Sequence, residues 1–350
     1  MMRCLFFIGP IVASAIANAA PAPVGLLRSP WDGVAIAQTN APYTCPAPPP
    51  FGRTLKINPY YTDQHASVID PQKLAAFQQA SEAPTHLGQF VSAAADAYLT
   101  KGGREAALCV YSMLDAAAKA DAWTGKMPDF SGVYIQNWEL SGTAISYLKV
   151  RRSGAGTSEQ DARIQRWFHR LAGRVTDFFE AEIRRMGPDK ENNHLYWAGL
   201  AVASAGIAEN DREDFHWGMV AYQMGVELIQ PDGSLVAEMN RGQMALHYHL
   251  YALGPLVILA ELGEANGLDL YSEESGAIHR LVQFCVGILE DPTTIEKRTG
   301  VTQVAPNPMG GSDIGWAVPY LRRFPDPKLS ALIAKAAWTR FWQWGGAPPD

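Results

Sequence analysis

The sequence lacks a basic surplus. Its 29 lysine and arginine residues face 35 aspartates and glutamates, for a formal net charge of −6. General nucleic-acid binding needs a cationic face for the phosphates, so this balance excludes it. It leaves room for a polyanionic sugar, because a groove of a few arginines stays locally positive on an acidic protein. Past the N-terminus no run reaches the roughly 20 apolar residues that a membrane helix needs, so no membrane association is expected of the processed chain. Alternating strand patterns are scarce, and no Gly-, Ser- or Pro-rich linker divides the middle of the chain. Cysteine is sparse as well, with Cys4, Cys45, Cys109 and Cys285 only.

Met1-Met2-Arg3, an apolar run from Cys4 to about Ile16 and the small residues Ala17-Asn18-Ala19-Ala20 follow the order of a secretory signal. Residues 1–20 are therefore expected to be removed on export to a periplasm or the medium. Residues 21–350 would then form a single domain, taken to act as a monomer. The Pro-rich stretch Cys45-Pro46-Ala47-Pro48-Pro49-Pro50 reads as an extended arm. Three cysteines remain after processing, and an odd count leaves one thiol free. A bridge from Cys45 to Cys109, in the helix that follows, would pin the arm to the body and contribute about 4 kcal/mol by chain entropy. Cys285 sits in the apolar run Leu281-Val282-Gln283-Phe284-Cys285-Val286 and reads as a buried thiol.

Apolar residues recur at three-to-four spacing over 87–99, 106–120, 162–183, 194–208, 214–229, 243–262 and 278–289. Helix stops and starts lie between them, at Lys101-Gly102-Gly103, Ser153–Ser158, Gln230–Ser234 and Asp291-Pro292-Thr293. The fold class is all-α with ten or more helices. Many antiparallel helices form either a stacked solenoid or an α/α toroid, and the absence of a strict repeat weakens the solenoid. The ten tryptophans and thirteen tyrosines suit stacking on sugar rings, although most such residues pack in cores.

Two motifs carry chemistry: Asn192-Asn193-His194-Leu195-Tyr196-Trp197-Ala198, and Arg241-Gly242-Gln243-Met244-Ala245-Leu246-His247-Tyr248-His249-Leu250-Tyr251. Arg241 and Tyr248 are seven apart and share a face if one helix holds both. Asn193 and Trp197 are spaced by four, with His194 beside Asn193 at a helix start. A uronate in a polymer has a carboxylate at C5 and a glycosidic oxygen leaving from C4, and the carboxylate opposes removal of the C5 proton. An amide and a guanidinium hold that carboxylate, while a tyrosine lowered by nearby positive charge and a histidine supply base and acid. No metal or cofactor is required. His247 and His249 point about 200° apart on a helix and cannot easily share an ion, which leaves His247 as a subsite residue.

The two motifs resemble those of the alginate lyases of polysaccharide lyase family 5. The similarity runs from Cys45-Pro46 through Asn137-Trp138-Glu139-Leu140 to Gly315-Trp316-Ala317-Val318-Pro319-Tyr320. The resemblance implies an incomplete α/α toroid with an N-terminal lid, and β-elimination on a uronate polymer giving 4,5-unsaturated ends. By it Asn193 and Arg241 neutralise the carboxylate, His194 neutralises or acts as base, and Tyr248 is base and acid. Tyr60, Tyr61 and His65 fall in the lid, and Trp138, Trp197, His247 and Tyr251 are further candidates for binding substrate. Family members confined to alginate often carry a lid lysine, where this chain has Ile57-Asn58-Pro59-Tyr60-Tyr61, and a basic residue where it has Asn137. Both departures favour broader polyuronate specificity. Two other functions are a glycoside hydrolase, which needs paired carboxyls from among Glu139, Asp189, Glu191 and Glu238, and a non-catalytic polysaccharide-binding protein of the export path.

Overall fold

Side-chain caps set where the helices begin. Asp70, Asp129, Asn192 and Asp211 each accept first-turn N–H groups, and Thr157 forms a reciprocal box with Gln160. A computed structural model describes residues 25–37, 39–187 and 192–349; the signal at 1–20 lies outside them, as do Asp189 and Glu191. The helices are α1 (Pro71–Ala80), α2 (Glu82–Lys101), α3 (Arg104–Lys119), α4 (Phe130–Val150), α5 (Ser158–Met186), α6 (Asn193–Glu209) and α7 (Arg212–Glu227). They continue with α8 (Val236–Met239), α9 (Ala245–Glu264), α10 (Glu273–Glu290), α11 (Thr293–Thr299), α12 (Gly311–Ile314), α13 (Ala317–Arg323) and α14 (Pro327–Ile333).

Helices α2, α4, α6 and α9 stand side by side as an inner wall, and α3, α5, α7 and α10 pack outside them. This in-and-out alternation is an incomplete α/α toroid. The inner helices α4, α6 and α9 are buried on nearly every face, whereas the outer ones expose a polar face. Helix α4, at 130–150, is not among the periodic segments read from the sequence, and the structure adds it. The C-terminal turn Trp342–Trp344 packs against the inner helices α2, α4 and α9. A Cβ on Gly142 of α4 would lie 2.3 Å from the Trp342 carbonyl oxygen, so only glycine admits this approach.

The arm is fastened along its length. Cys45 and Cys109 are joined, with Cα atoms 5.4 Å apart, and Cys285 is free and buried. The N–H of Trp123 donates to the Gly52 carbonyl at 2.7 Å, and Ile57, fully buried, donates its N–H to Asp129 at 3.0 Å. Asp129 also caps α4, so the arm is tied to the start of an inner helix. Residues 60–70 then turn back on themselves around Asp63, which accepts from the Ser67 and Val68 N–H groups at 2.8 and 2.7 Å.

Candidate active site

Helices α4, α6 and α9 begin at the same end of the toroid, and their first turns carry the polar residues of interest. The Tyr134 ring of α4 stacks on His194 of α6, with centroids 3.7 Å apart and planes within 6°. Trp138, one turn on and half-buried, meets Tyr251 of α9 edge-on at 6.1 Å, and His247 stacks on Tyr251 at 5.8 Å. Three helix N-termini directed at one cleft give it positive potential, which suits an anion.

Arg241 and Tyr248 meet, although not as one helical face. Arg241 precedes a 3-10 turn, Gly242–Met244, and α9 begins only at Ala245. Its guanidinium instead folds back over the Tyr248 ring, 3.6 Å from the centroid. The Tyr248 hydroxyl is hydrogen-bonded to that of Tyr61 at 2.7 Å, and the Tyr60 ring packs on Tyr61 at 4.4 Å. The lid thus lies closed on the site. Gln243 holds it by donating to the Ser67 carbonyl at 2.8 Å, and His65 Nδ1 bonds the Asn240 carbonyl at 3.0 Å. His65 also lines a cavity of about 410 Å³ beside the site, with Gln64, Asn192, Asn240 and Arg241.

The expectation of a lowered tyrosine pKa is corrected. Burial raises the Tyr248 phenol to about 12, outweighing the downward pull of Arg241 and of the Tyr61 hydrogen bond. Tyr248 is therefore protonated at rest. Burial, reinforced by Arg241, brings His247 down to about 4, so it enters the cleft uncharged.

Asn193 is fully buried at the head of α6. Its main-chain N–H and its Nδ2 both donate to Glu238 Oε1, at 3.0 and 2.9 Å. Its Oδ1 has no hydrogen-bond partner among the described residues.

Three further readings are corrected. Trp197 is fully buried between Tyr251 (5.0 Å) and Trp344 (6.0 Å), with its indole N–H on the Tyr251 carbonyl, so it is a core residue and does not reach a substrate. Tyr251 lies beneath the site, its hydroxyl donating to Gln343 at 2.6 Å. Asn137 is fully buried and, with its amide turned to satisfy both groups, bridges the Trp197 carbonyl and the Ala198 N–H at 3.1 Å, so its side chain faces the core where a cleft position was expected. His249 points away from His247 into the core, against Phe284, as its spacing implied. The sequence reading missed Tyr134, whose spacing of four from Trp138 was the available signal, and the bond from Glu238 to Asn193, for which it held none.

Among the described residues, the groups spaced to hold a cation are His169, Asp211 and Asp214. They sit at the far end of α6 from Asn193, at the outer surface. Of the acids considered for hydrolysis, Glu238 is occupied by Asn193. Glu139 is fully buried, faces Gly88 of α2 and has no hydrogen-bond partner among the described residues; burial pushes its carboxyl well above the usual range. Both carboxyls are buried.

The alginate lyase family model matches residues 54–295. A polysaccharide lyase of Stenotrophomonas maltophilia is 38% identical over 297 residues, covering 83% of this chain and 85% of that protein. An alginate lyase of Pseudomonas fluorescens is 31% identical over 279 residues, covering 78% and 74%. Among solved structures, a variant of alginate lyase A1-III complexed with a tetrasaccharide superposes with a TM-score of 0.77 at 24% identity, covering 88% of this chain and 86% of that one. Alginate lyase A1-III from Sphingomonas species A1 gives 0.73, covering 93% and 90%.

Proposed function

This chain belongs to the alginate lyase family, and from that premise we propose how its cleft cleaves a uronate polymer. It is a polysaccharide lyase. The Asn193 amide and the Arg241 guanidinium take the two oxygens of the C5 carboxylate, which removes the charge opposing the carbanion and stabilises the developing enolate. Tyr248 acts as the phenolate: once its own proton has gone to solvent, its oxygen takes the C5 proton and then delivers that proton to the C4 oxygen as the glycosidic bond breaks. His194, held flat by Tyr134, assists the neutralisation or takes the proton from the opposite epimer. Trp138 and His247 flank the sugar. No metal is called for by these steps.

The observation that carries this reading is the Arg241 guanidinium lying 3.6 Å over the Tyr248 ring at the converging helix starts. It sets the carboxylate grip beside the proton-transferring oxygen. The Tyr61 hydroxyl now holds the hydrogen bond that substrate would make to Tyr248, so the lid shifts as substrate arrives. We assign alginate, poly-mannuronate foremost, as substrate, with other polyuronates admitted because the lid at 57–61 has no lysine. The protein works as an exported monomer, and the N-terminus of the exported form should lie near residue 21.

Purified protein offered poly-mannuronate, poly-guluronate, polyglucuronate and hyaluronate should generate the ultraviolet absorbance of a double bond conjugated to the carboxylate. New reducing ends without that absorbance would make it a hydrolase, and binding without either would make it a carrier.

A further inference from the structure

Glu238 lies in the single turn α8 and is buried, yet it is bonded to both members of the carboxylate grip. Its Oε1 accepts from the Asn193 main-chain N–H at 3.0 Å and from Nδ2 at 2.9 Å, while its own main-chain carbonyl accepts the Arg241 N–H at 3.2 Å. Its Oε2 has no hydrogen-bond partner among the described residues.

We infer that Glu238 is a positioning residue of the elimination, fixing the plane of the Asn193 amide so that its remaining donor faces the substrate carboxylate. The inference rests on the role proposed above for Asn193. An asparagine amide rotates in a broad, two-fold well, so an unanchored amide presents donor and acceptor edges to the cleft in turn. The acceptor edge repels a carboxylate. Glu238 takes one Nδ2 hydrogen while also gripping the Asn193 main chain, and two bonds to one oxygen set the amide against the helix that carries it. The cost of ordering is then met before substrate arrives. A buried carboxyl with one oxygen unpartnered is an expensive group to keep for stability alone. Its place between Asn193 and Arg241 accounts for it.

The test is a mutant cycle on the best polyuronate of the panel, each variant checked by thermal melting. Glu238→Gln keeps an acceptor oxygen toward Asn193, with its amide nitrogen where Oε2 now has no partner, and should stay within about threefold of wild-type kcat. Glu238→Leu should lower kcat at least tenfold with a smaller change in KM, since orientation matters most as charge develops. In an Asn193→Ala background the same Leu substitution should cost less than about threefold more, because a residue acting through Asn193 has nothing left to act on. An equal loss in both backgrounds, or a Gln variant as impaired as the Leu one, overturns the inference. Glu238→Ala carries the same comparison if the Leu variant does not fold. A crippled Asn193→Ala beside a fully active Glu238→Leu removes the inference alone; Asn193→Ala with wild-type turnover removes the role of Asn193 as well.

Discussion

Replacing Tyr248 by Phe deletes one oxygen from the site and keeps almost everything else. The ring still fills its buried place and still offers a face to Arg241, now 3.6 Å from its centroid. The carboxylate grip of Asn193 and Arg241 is untouched, so KM should stay within a few-fold. A positioned acid or base typically contributes 10²- to 10⁴-fold, and Tyr248 is assigned both roles, so kcat should fall by at least about 10²-fold, or about 2.7 kcal/mol of barrier. The structural cost is one hydrogen bond, the 2.7 Å contact to Tyr61, with a net value of about 0.5–1.5 kcal/mol. At about 2.1 cal/mol/K per residue over about 330 residues, unfolding entropy is about 0.7 kcal/mol per degree, so Tm should drop by only about 1–2 °C. The assay is initial rate by ultraviolet absorbance, alongside a thermal melt. Turnover above a tenth of wild type would take Tyr248 out of the chemistry, and a Tm loss of many degrees would mean that lost activity reports a damaged fold.

Removing the Cys45–Cys109 bridge, which closes a separation of 64 residues, should cost about 4 kcal/mol by the chain-entropy estimate, or about 6 °C in Tm; non-reducing peptide maps should find only Cys285 alkylated without prior reduction. Because Tyr248 must shed its proton before accepting one, and burial holds it near 12, kcat/KM should rise with pH from neutral into the alkaline range. The Tyr61 hydrogen bond lowers that value, so Tyr61→Phe should move the rising limb to higher pH; a profile that falls over pH 7–10 contradicts the assignment of Tyr248 as base. Trp197→Ala should destabilise by about 3–5 kcal/mol, as for a large aromatic lost from a core. Its folded fraction should keep the wild-type KM, whereas a raised KM with unchanged stability would return Trp197 to the substrate.

The amphipathic outer helices α3, α5 and α10 could be read from the chain because each turns one apolar side inward and one polar side to water, which writes a period into the sequence. The motifs around Asn193 and Tyr248 were legible for a different reason, since an amide, an imidazole, a guanidinium and a phenol clustered beside helix starts are unlike a core. Only the folded chain put Trp197 in the interior, because a spacing of four from Asn193 gives a shared helix face without saying what covers it. Arg241 reached Tyr248 by a fold-back of its side chain before the helix began, a path that helical spacing does not contain. The phenol's pKa was decided in the same way: proximity to Arg241 is visible in one dimension, but desolvation is set by the lid, by α9 and by every neighbour that shuts out water, and here it wins. Glu238 lies 45 residues from Asn193 along the chain, and their contact exists only because two inner helices start at the same end of one ring.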